Sequence, residues 1–309
     1  MNEVTETIVQ PVRENEVRAS MPYSDARTTM SITPQTGGGT CGCGGSGSSS
    51  LNGMPSYVYA LGRVEARFPN MAAEKEFAQA VGRADTVGKT DQQTFHAVVS
   101  ERRNRYLARQ LCWVFTIQGL ETYLLVPRDP ADLDLLLETI RPAPSPNDID
   151  LVVGLRGLLA PPEMCNGLMA PIVAFDQLYS FGRADLIQAI PRPEKTTEEK
   201  YRPVAEELFD RIMQLADNAG ATDEHRALNY LVMRYPGIYA RIAEQFERDF
   251  SLTGVEVRPA SLNGTRKMVD VIPTFTNRNT DFVEKFSVRV DVTEQFPFLV
   301  SKLSPYFDR

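Results

Sequence analysis

The sequence lacks the patterns that mark several large classes of protein. No apolar run approaches the ~20 residues that a membrane-spanning helix needs, and the N-terminus "MNEVTETIVQPVRENEVR" has no basic start followed by an apolar segment. The net charge is −7, so no overall positive field attracts nucleic acid. These absences favour a cytoplasmic protein that binds neither a membrane nor nucleic acid.

Chemically reactive residues are equally scarce. Four cysteines are too few for a disulfide scaffold in 309 residues, and a reducing compartment fits them. The two histidines, His96 and His225, occur in no HExxH motif, and the sequence contains no GxSxG or Cys-x-x-Cys motif. We therefore predict no metal site and no cofactor, and no motif supplies a catalytic residue.

The first 53 residues differ in composition from the rest. They contain no lysine, tryptophan or phenylalanine, and one tyrosine, Tyr23. Such a segment buries too little apolar surface to offset its ordering entropy, so residues 1–53 are predicted to be a disordered tail. The folded domain is then predicted over residues 54–309, with a further division into sub-regions 54–160 and 161–309.

Within this tail, Gly37 to Ser50 forms a soft Gly/Ser linker that contains Cys41 and Cys43. Three interpretations of the two thiols stay open. They are incidental linker residues, or two of the four ligands of a soft metal such as zinc, or part of a tail that is itself a modified peptide.

Helical and strand patterns alternate irregularly after residue 54. Polar and apolar residues alternate in "YVYALGRVEARF" (Tyr57 to Phe68), which predicts a half-buried strand. A helix follows, with Asn70 as its N-cap and Gly82 as its stop. We also predict one long helix over about Asp91 to Gln110 and a short final helix near Phe298 to Leu303. Because the order shows no regular βαβ repeat, we predict an α+β fold with mostly antiparallel strands.

Four arginines crowd the predicted long helix. Arg102, Arg105 and Arg109 have the spacing i, i+3 and i+7, which places them on one helical face. That face is a candidate binding site for an anionic peptide or a carboxylate. The alternative is a solvated face whose arginines pair with nearby acids.

Two other candidate sites are weaker. The segment "GRADTVGKT" (Gly82 to Thr90) has five residues where a phosphate-binding P-loop has four, and it follows a helix where a strand is required. We therefore predict a linker between helices that does not bind ATP. Cys165 lies in the predicted loop "APPEMCNG" and is a candidate nucleophile if a histidine such as His225 approaches it. The alternative is a packed cysteine that acts as a small apolar residue, as predicted for Cys112.

Two long stretches resemble one known family. "YALGRVEARFPN…EKEFAQAVGR" and the far end, from "ATDEHRALNYLVMRYPGIYARIAEQ" to "FPFLVSKLSPYFDR", resemble the C-terminal, PatG-type domain of unknown function of cyanobactin maturation proteases. Together they reach from about Ser56 to Arg309. In that family the domain follows a subtilisin-like protease and a linker. The subtilisin motif "GTSMA" does not occur in this sequence, so the resemblance implies the accessory domain alone and supplies no catalytic residue.

Two functions from different classes follow. The first is a non-catalytic accessory or binding module associated with ribosomal peptide maturation, which binds a peptide, a maturation enzyme or a second copy of itself. The second is an enzyme of unrecognised type that uses Cys165 with a histidine. A free cysteine within hydrogen-bond reach of a histidine in a cleft would favour the second function.

Overall fold

The computed structural model describes residues 56–84, 86–145, 147–188, 190, 198–260 and 265–307, without the side chains of 198–204 and 208. The strands are β1 (Tyr57–Arg67), β2 (Cys112–Ile117), β3 (Leu120–Pro127), β4 (Ile149–Leu159), β5 (Pro171–Phe181), β6 (Phe250–Pro259), β7 (Met268–Asn277), β8 (Val283–Asp291) and β9 (Phe298–Pro305). The α-helices are α1 (Met71–Val81), α2 (Asp91–Ser100), α3 (Arg105–Gln110), α4 (Leu133–Thr139), α5 (Arg183–Gln188), α6 (Glu198–Met213), α7 (Asp223–Arg234) and α8 (Pro236–Glu247). The predicted tail, with Cys41 and Cys43, lies outside the described residues.

The first half of the fold is a closed barrel with the strand order β1-β2-β3-β5-β4. Its pairings are antiparallel except for β3 with β5, which run parallel. Bulky apolar side chains with no solvent exposure fill it, among them Phe115, Val152 and Phe175. One core cluster joins these residues to α4 through Leu136. The α+β prediction is confirmed.

The second half is an antiparallel sheet with the strand order β6-β7-β8-β9. Helices α6, α7 and α8 connect it to the barrel through one apolar cluster that includes Leu151 of β4, Ile212 of α6, Ile242 of α8 and Phe275 of β7. Two backbone N–H groups of β9, those of Leu299 and Leu303, donate to the hydroxyls of Tyr230 and Tyr235 at 3.2 and 3.0 Å. No helix among the described residues is long and apolar enough to cross a bilayer.

Strand β1 changes partner halfway along its length. Tyr57 to Gly62 pair with β4, and Arg63 to Arg67 pair with β2. The change occurs at Gly62, where a Cβ atom would lie 2.3 Å from the carbonyl oxygen of Thr116. Only glycine allows the strands to approach this closely. Each half of β1 therefore has one strand neighbour and one further edge.

The turn that joins α6 to α7 lies against the further edge of the first half at Tyr59. Tyr59 donates its N–H to the carbonyl of Gly220 at 2.9 Å, and the Asn229 side chain donates to the carbonyl of Tyr59 at 2.8 Å. Asn229 is fully buried and also exchanges hydrogen bonds with Asn218. Gly220 has φ +63°, and a Cβ atom on it would lie 2.3 Å from the Tyr59 carbonyl oxygen. The turn thus fits directly against the strand backbone.

Two predicted helices are wrong. The long helix over Asp91 to Gln110 is interrupted at Glu101, whose backbone is extended with φ −70° and ψ 129°. The buried side chain of Asn104 donates to the carbonyl of Val98 at 2.9 Å, so it takes an acceptor that a continuing helix would use. The final helix near Phe298 to Leu303 is strand β9, because β8 offers it a pairing edge that outweighs its local spacing of apolar residues.

Candidate functional site

A cleft lies beside the second half of β1. We call it the β1 cleft; its walls are residues 63–68, parts of α1 and α2, and the segment 139–148 that leads into β4. Its volume is about 620 Å³, within the ~300–1,000 Å³ typical of ligand sites. It exists because β4 begins only at Ile149, so the chain before it diverges from β1 and leaves a gap.

A buried carboxylate closes the inner end of this gap. Asp150 accepts the backbone N–H of Val64 at 2.8 Å and the hydroxyl of Ser180 at 2.6 Å, and it is 6% exposed. Burial raises the pKa of Asp150 above its ordinary value, although the hydrogen bonds from Ser180 and Val64 act in the opposite direction. The two carboxylate oxygens therefore link the backbone of β1 at Val64 to the side chain of Ser180 in β5.

Beyond Asp150 the backbone edge of β1 is open. Successive residues of a strand direct their N–H and C=O groups to opposite edges. Since the N–H of Val64 faces the cleft, the C=O of Val64 and both backbone groups of Ala66 face it too. The backbone N–H and C=O groups of Arg63, Glu65 and Arg67 face β2 instead. In the part of the chain that the structure describes, no strand pairs with this edge.

The side walls of the β1 cleft differ in chemistry. Phe68, Phe77 and Phe95 form an aromatic cluster, with ring centroids 5.1 to 6.3 Å apart. The cleft is also lined by Arg141 and Asp148, which form an ion pair, and the side chain of Gln92 donates to the carbonyl of Arg141 at 3.0 Å. An extended segment in the cleft would therefore meet both an apolar surface and an ion pair.

The family model of the PatG domain matches residues 57–258, which is more than half of the chain. The chain belongs to the PatG domain family. A solved structure described as a PatG domain of unknown function is similar to it, with 22% identity and a TM-score of 0.66 over 82% of this chain and 99% of that chain. At this identity the likeness shows the fold. No curated protein matches the chain.

These findings confirm the resemblance drawn from the sequence, and the description of the solved relative assigns no activity. In this PatG domain the family match begins at Tyr57, the first residue of β1, and ends at Arg258 in β6. It therefore includes the barrel, the β1 cleft and the turn at Gly220.

The predicted arginines lie together, but not on one continuous helix. Arg102 is in a 3₁₀ turn and Arg109 is in α3, and with Arg103, Arg105 and Tyr106 they line a shallow depression, which we call the arginine patch. Arg105 forms an ion pair with Asp134, and Arg103 with Glu101 at 2.9 Å. Within the described residues, Arg102 and Arg109 have no carboxylate at ion-pair distance. Ligand binding at this patch stays a prediction.

The structure contradicts the prediction of a reachable Cys165. Cys112 and Cys165 form a disulfide with a Cα–Cα distance of 5.7 Å, and Cys165 is 3% exposed. A buried disulfide sulfur is not a free thiolate, so it cannot act as the proposed nucleophile. The two cysteines also form a small apolar cluster with Val114 and Leu124, in agreement with the packed alternative.

Sequence reasoning missed the residues that build the β1 cleft. Asp150 interrupts an otherwise apolar strand, "IDLVVGL", and this buried polar position was the one available signal. Its partners Val64 and Ser180 lie 86 and 30 residues away in sequence, so no local pattern reveals the contact. The segment Gly82 to Thr90 does join two helices, and Thr90 caps the second of them.

Proposed function

We propose that this PatG domain is a non-catalytic module that binds an extended peptide along the second half of β1 during the maturation of ribosomal peptides. The observation that carries the proposal is an open backbone edge, formed by the carbonyl of Val64 and both backbone groups of Ala66, inside a cleft of about 620 Å³. Peptides commonly bind such edges by adding a strand, with main-chain hydrogen bonds for affinity and flanking pockets for specificity.

The walls of the β1 cleft suit such a ligand. Side chains of an added strand alternate between two faces. Those on one face would contact the aromatic cluster of Phe68, Phe77 and Phe95, and apolar burial there would supply much of the affinity. Arg63 is exposed at the mouth of the cleft and has no carboxylate at ion-pair distance among the described residues, so it is available to an acidic group of the ligand.

The association with peptide maturation is supported by membership of the PatG domain family. The non-catalytic role is supported by the burial and pairing of Cys165, the one nucleophile that the sequence suggested. The partner would be a precursor peptide or an extended segment of a maturation enzyme.

The test is binding of labelled precursor-peptide fragments, measured by fluorescence anisotropy, to a matched pair of variants. Ala66→Pro removes the N–H donor that faces the cleft, whereas Ala66→Val keeps it. We expect Ala66→Pro to weaken binding about tenfold and Ala66→Val to change it little, since one hydrogen bond in a desolvated site is worth about 1–2 kcal/mol. Equal affinities of the two variants would contradict strand addition.

A further inference from the structure

A second concavity, separate from the β1 cleft, adjoins the Cys112–Cys165 disulfide. We call it the disulfide groove; its volume is about 320 Å³, and none of its lining residues also lines the β1 cleft. Its walls are apolar side chains of β2, β3, α4 and the residue before β2: Leu111, Trp113, Leu124, Leu133 and Leu136. Met164, which is 38% exposed, also lines it.

The disulfide groove meets the arginine patch at Arg109, which lines both. Ion pairs with Glu101 and Asp134 already engage Arg103 and Arg105, while Arg102 and Arg109 have no carboxylate at ion-pair distance among the described residues. The apolar concavity thus adjoins one available guanidinium group, that of Arg109, and Arg102 lies in the neighbouring patch, in a chain whose net charge is −7.

We infer that the disulfide groove binds the apolar C-terminal residue of a peptide, with the side chain in the groove and the α-carboxylate on Arg109. A guanidinium binds a carboxylate through two parallel hydrogen bonds, which fixes the orientation of the chain end. A volume near the lower limit of small-molecule sites, ~300 Å³, suits one or two side chains better than a long acyl chain. Arg102 and Tyr106 then lie beside the preceding peptide units.

The protein contains its own reporter for this site. Trp113 is the only tryptophan in the sequence, it lines the disulfide groove, and its indole N–H donates to the carbonyl of Ala108 at 3.2 Å. Trp113 is 4% exposed and belongs to the same core cluster as Leu133 and Leu136, which also line the groove, so we expect a side chain that enters the groove to alter the surroundings of this ring. Intrinsic fluorescence of the oxidised protein therefore measures occupancy without a label.

The first experiment titrates the protein with acetyl-Gly-Gly-Ala-Leu that carries a free carboxylate, and then with the same peptide as a C-terminal amide. We expect a saturable fluorescence change with the acid and at least about tenfold weaker binding of the amide, the usual loss when a charged hydrogen bond is removed. Equal binding of acid and amide, or no saturable change, would overturn the inference. Tighter binding of decanoate than of the peptide would assign the groove to acyl chains and would also overturn it.

The second experiment repeats the acid titration with three variants. Arg109→Gln should weaken binding about tenfold, whereas Arg211→Gln, which removes an exposed arginine from α6, should leave it unchanged. Unchanged affinity of Arg109→Gln, or equal losses in both variants, would contradict a carboxylate site at Arg109. Ala66→Pro should leave this titration unchanged, so failure at the disulfide groove and failure at the β1 cleft are distinguishable.

Discussion

The two halves of β1 meet different neighbours on their second edges. In the first half, Tyr59 receives a hydrogen bond from Asn229 and donates one to Gly220, so at this residue the chain itself pairs both backbone groups of the second edge. In the second half, the N–H of Val64 donates to the carboxylate of Asp150, and the strand then faces a cleft as far as Arg67. Both halves belong to one strand of a barrel whose other edges are paired.

Under the proposed function, a ligand would do in the second half what the turn at Gly220 does in the first. Unpaired backbone groups are tolerated where water reaches them, and they are satisfied where the chain is buried. The turn at Asn218–Gly220 is a short segment of backbone and amide groups inserted against a strand edge. A bound peptide would supply the same groups to the carbonyl of Val64 and to both backbone groups of Ala66. The following predictions test this difference between the halves.

The largest effect is expected from proline at matched alanines. Ala60 and Ala66 both direct their N–H groups toward the β4 side, where Ala60 meets Val152 and Ala66 meets the open cleft. Ala60→Pro should lower the free energy of unfolding by about 3 kcal/mol or more, because it removes a ladder hydrogen bond within a closed sheet. Ala66→Pro should lower it by less than about 1 kcal/mol. Urea denaturation measures both, and equal losses would show that the second edge is paired.

An effect of similar size or smaller is expected from disturbing the contact between the turn at Gly220 and Tyr59 in the first half. Gly220→Ala places a Cβ atom against the Tyr59 carbonyl at a residue with φ +63°, so we expect a loss of about 3 kcal/mol in thermal or urea unfolding. Gly254→Ala is the control, because a Cβ atom there meets nothing within 4 Å. If Gly220→Ala were as stable as Gly254→Ala, the turn would not be pressed against β1.

Asn229, the buried amide at the same contact, should contribute somewhat less to the free energy of unfolding. Asn229→Leu keeps the approximate volume but leaves the Tyr59 carbonyl without its side-chain donor and removes one of the partners of Asn218, which keeps its bonds to Leu215 and Gly220. We expect a loss of about 2 kcal/mol, the cost of unsatisfied buried polar groups. Asn279→Leu, at an exposed turn, should cost less than about 0.5 kcal/mol. If Asn229→Leu were as stable as Asn279→Leu, the hydrogen bonds of Asn229 would not contribute to the stability of the fold.

The smallest effect is the pH dependence of stability caused by Asp150, which lies where the two halves of β1 meet. Burial raises the folded-state pKa of Asp150 above the unfolded value, so protonation favours the folded state. This contribution is fully present below the unfolded pKa and is lost as pH rises through the folded pKa. The stability of the wild type relative to Asp150→Asn should therefore fall as pH rises from about 4. A relative stability that rises with pH would show that the hydrogen bonds outweigh desolvation.

Local patterns predicted most elements but few of the contacts between them. Asn70 and Gly82 bound α1 as expected, because capping depends on residues a few positions apart. Strand β9 was missed because its pairing with β8 is a tertiary contact. The arginines were expected on one face of a single helix, which the break at Glu101 contradicts, although Arg102, Arg105 and Arg109 do line one depression.

The site itself depends on contacts between distant parts of the chain. The gap beside β1 requires Gly62 to approach Thr116 and Asp150 to reach Val64, and neither requirement is visible in a short window. The disulfide likewise joins cysteines 53 residues apart, and it corrects the expectation of reduced thiols that was drawn from the low cysteine count. Sequence reasoning therefore supplied the family and the fold class, and the structure supplied the cleft.

Amide hydrogen exchange at Ala66, followed by NMR, tests the central claim most directly. In the free protein we predict fast exchange at Ala66 and strong protection at Ala60 and Tyr59, whose N–H groups face β4 and Gly220. On addition of a precursor-peptide fragment that binds, the Ala66 amide should become protected while Ala60 and Tyr59 stay as they are. Strong protection of Ala66 in the free protein, or unchanged exchange at Ala66 in the complex, would contradict peptide binding along this edge.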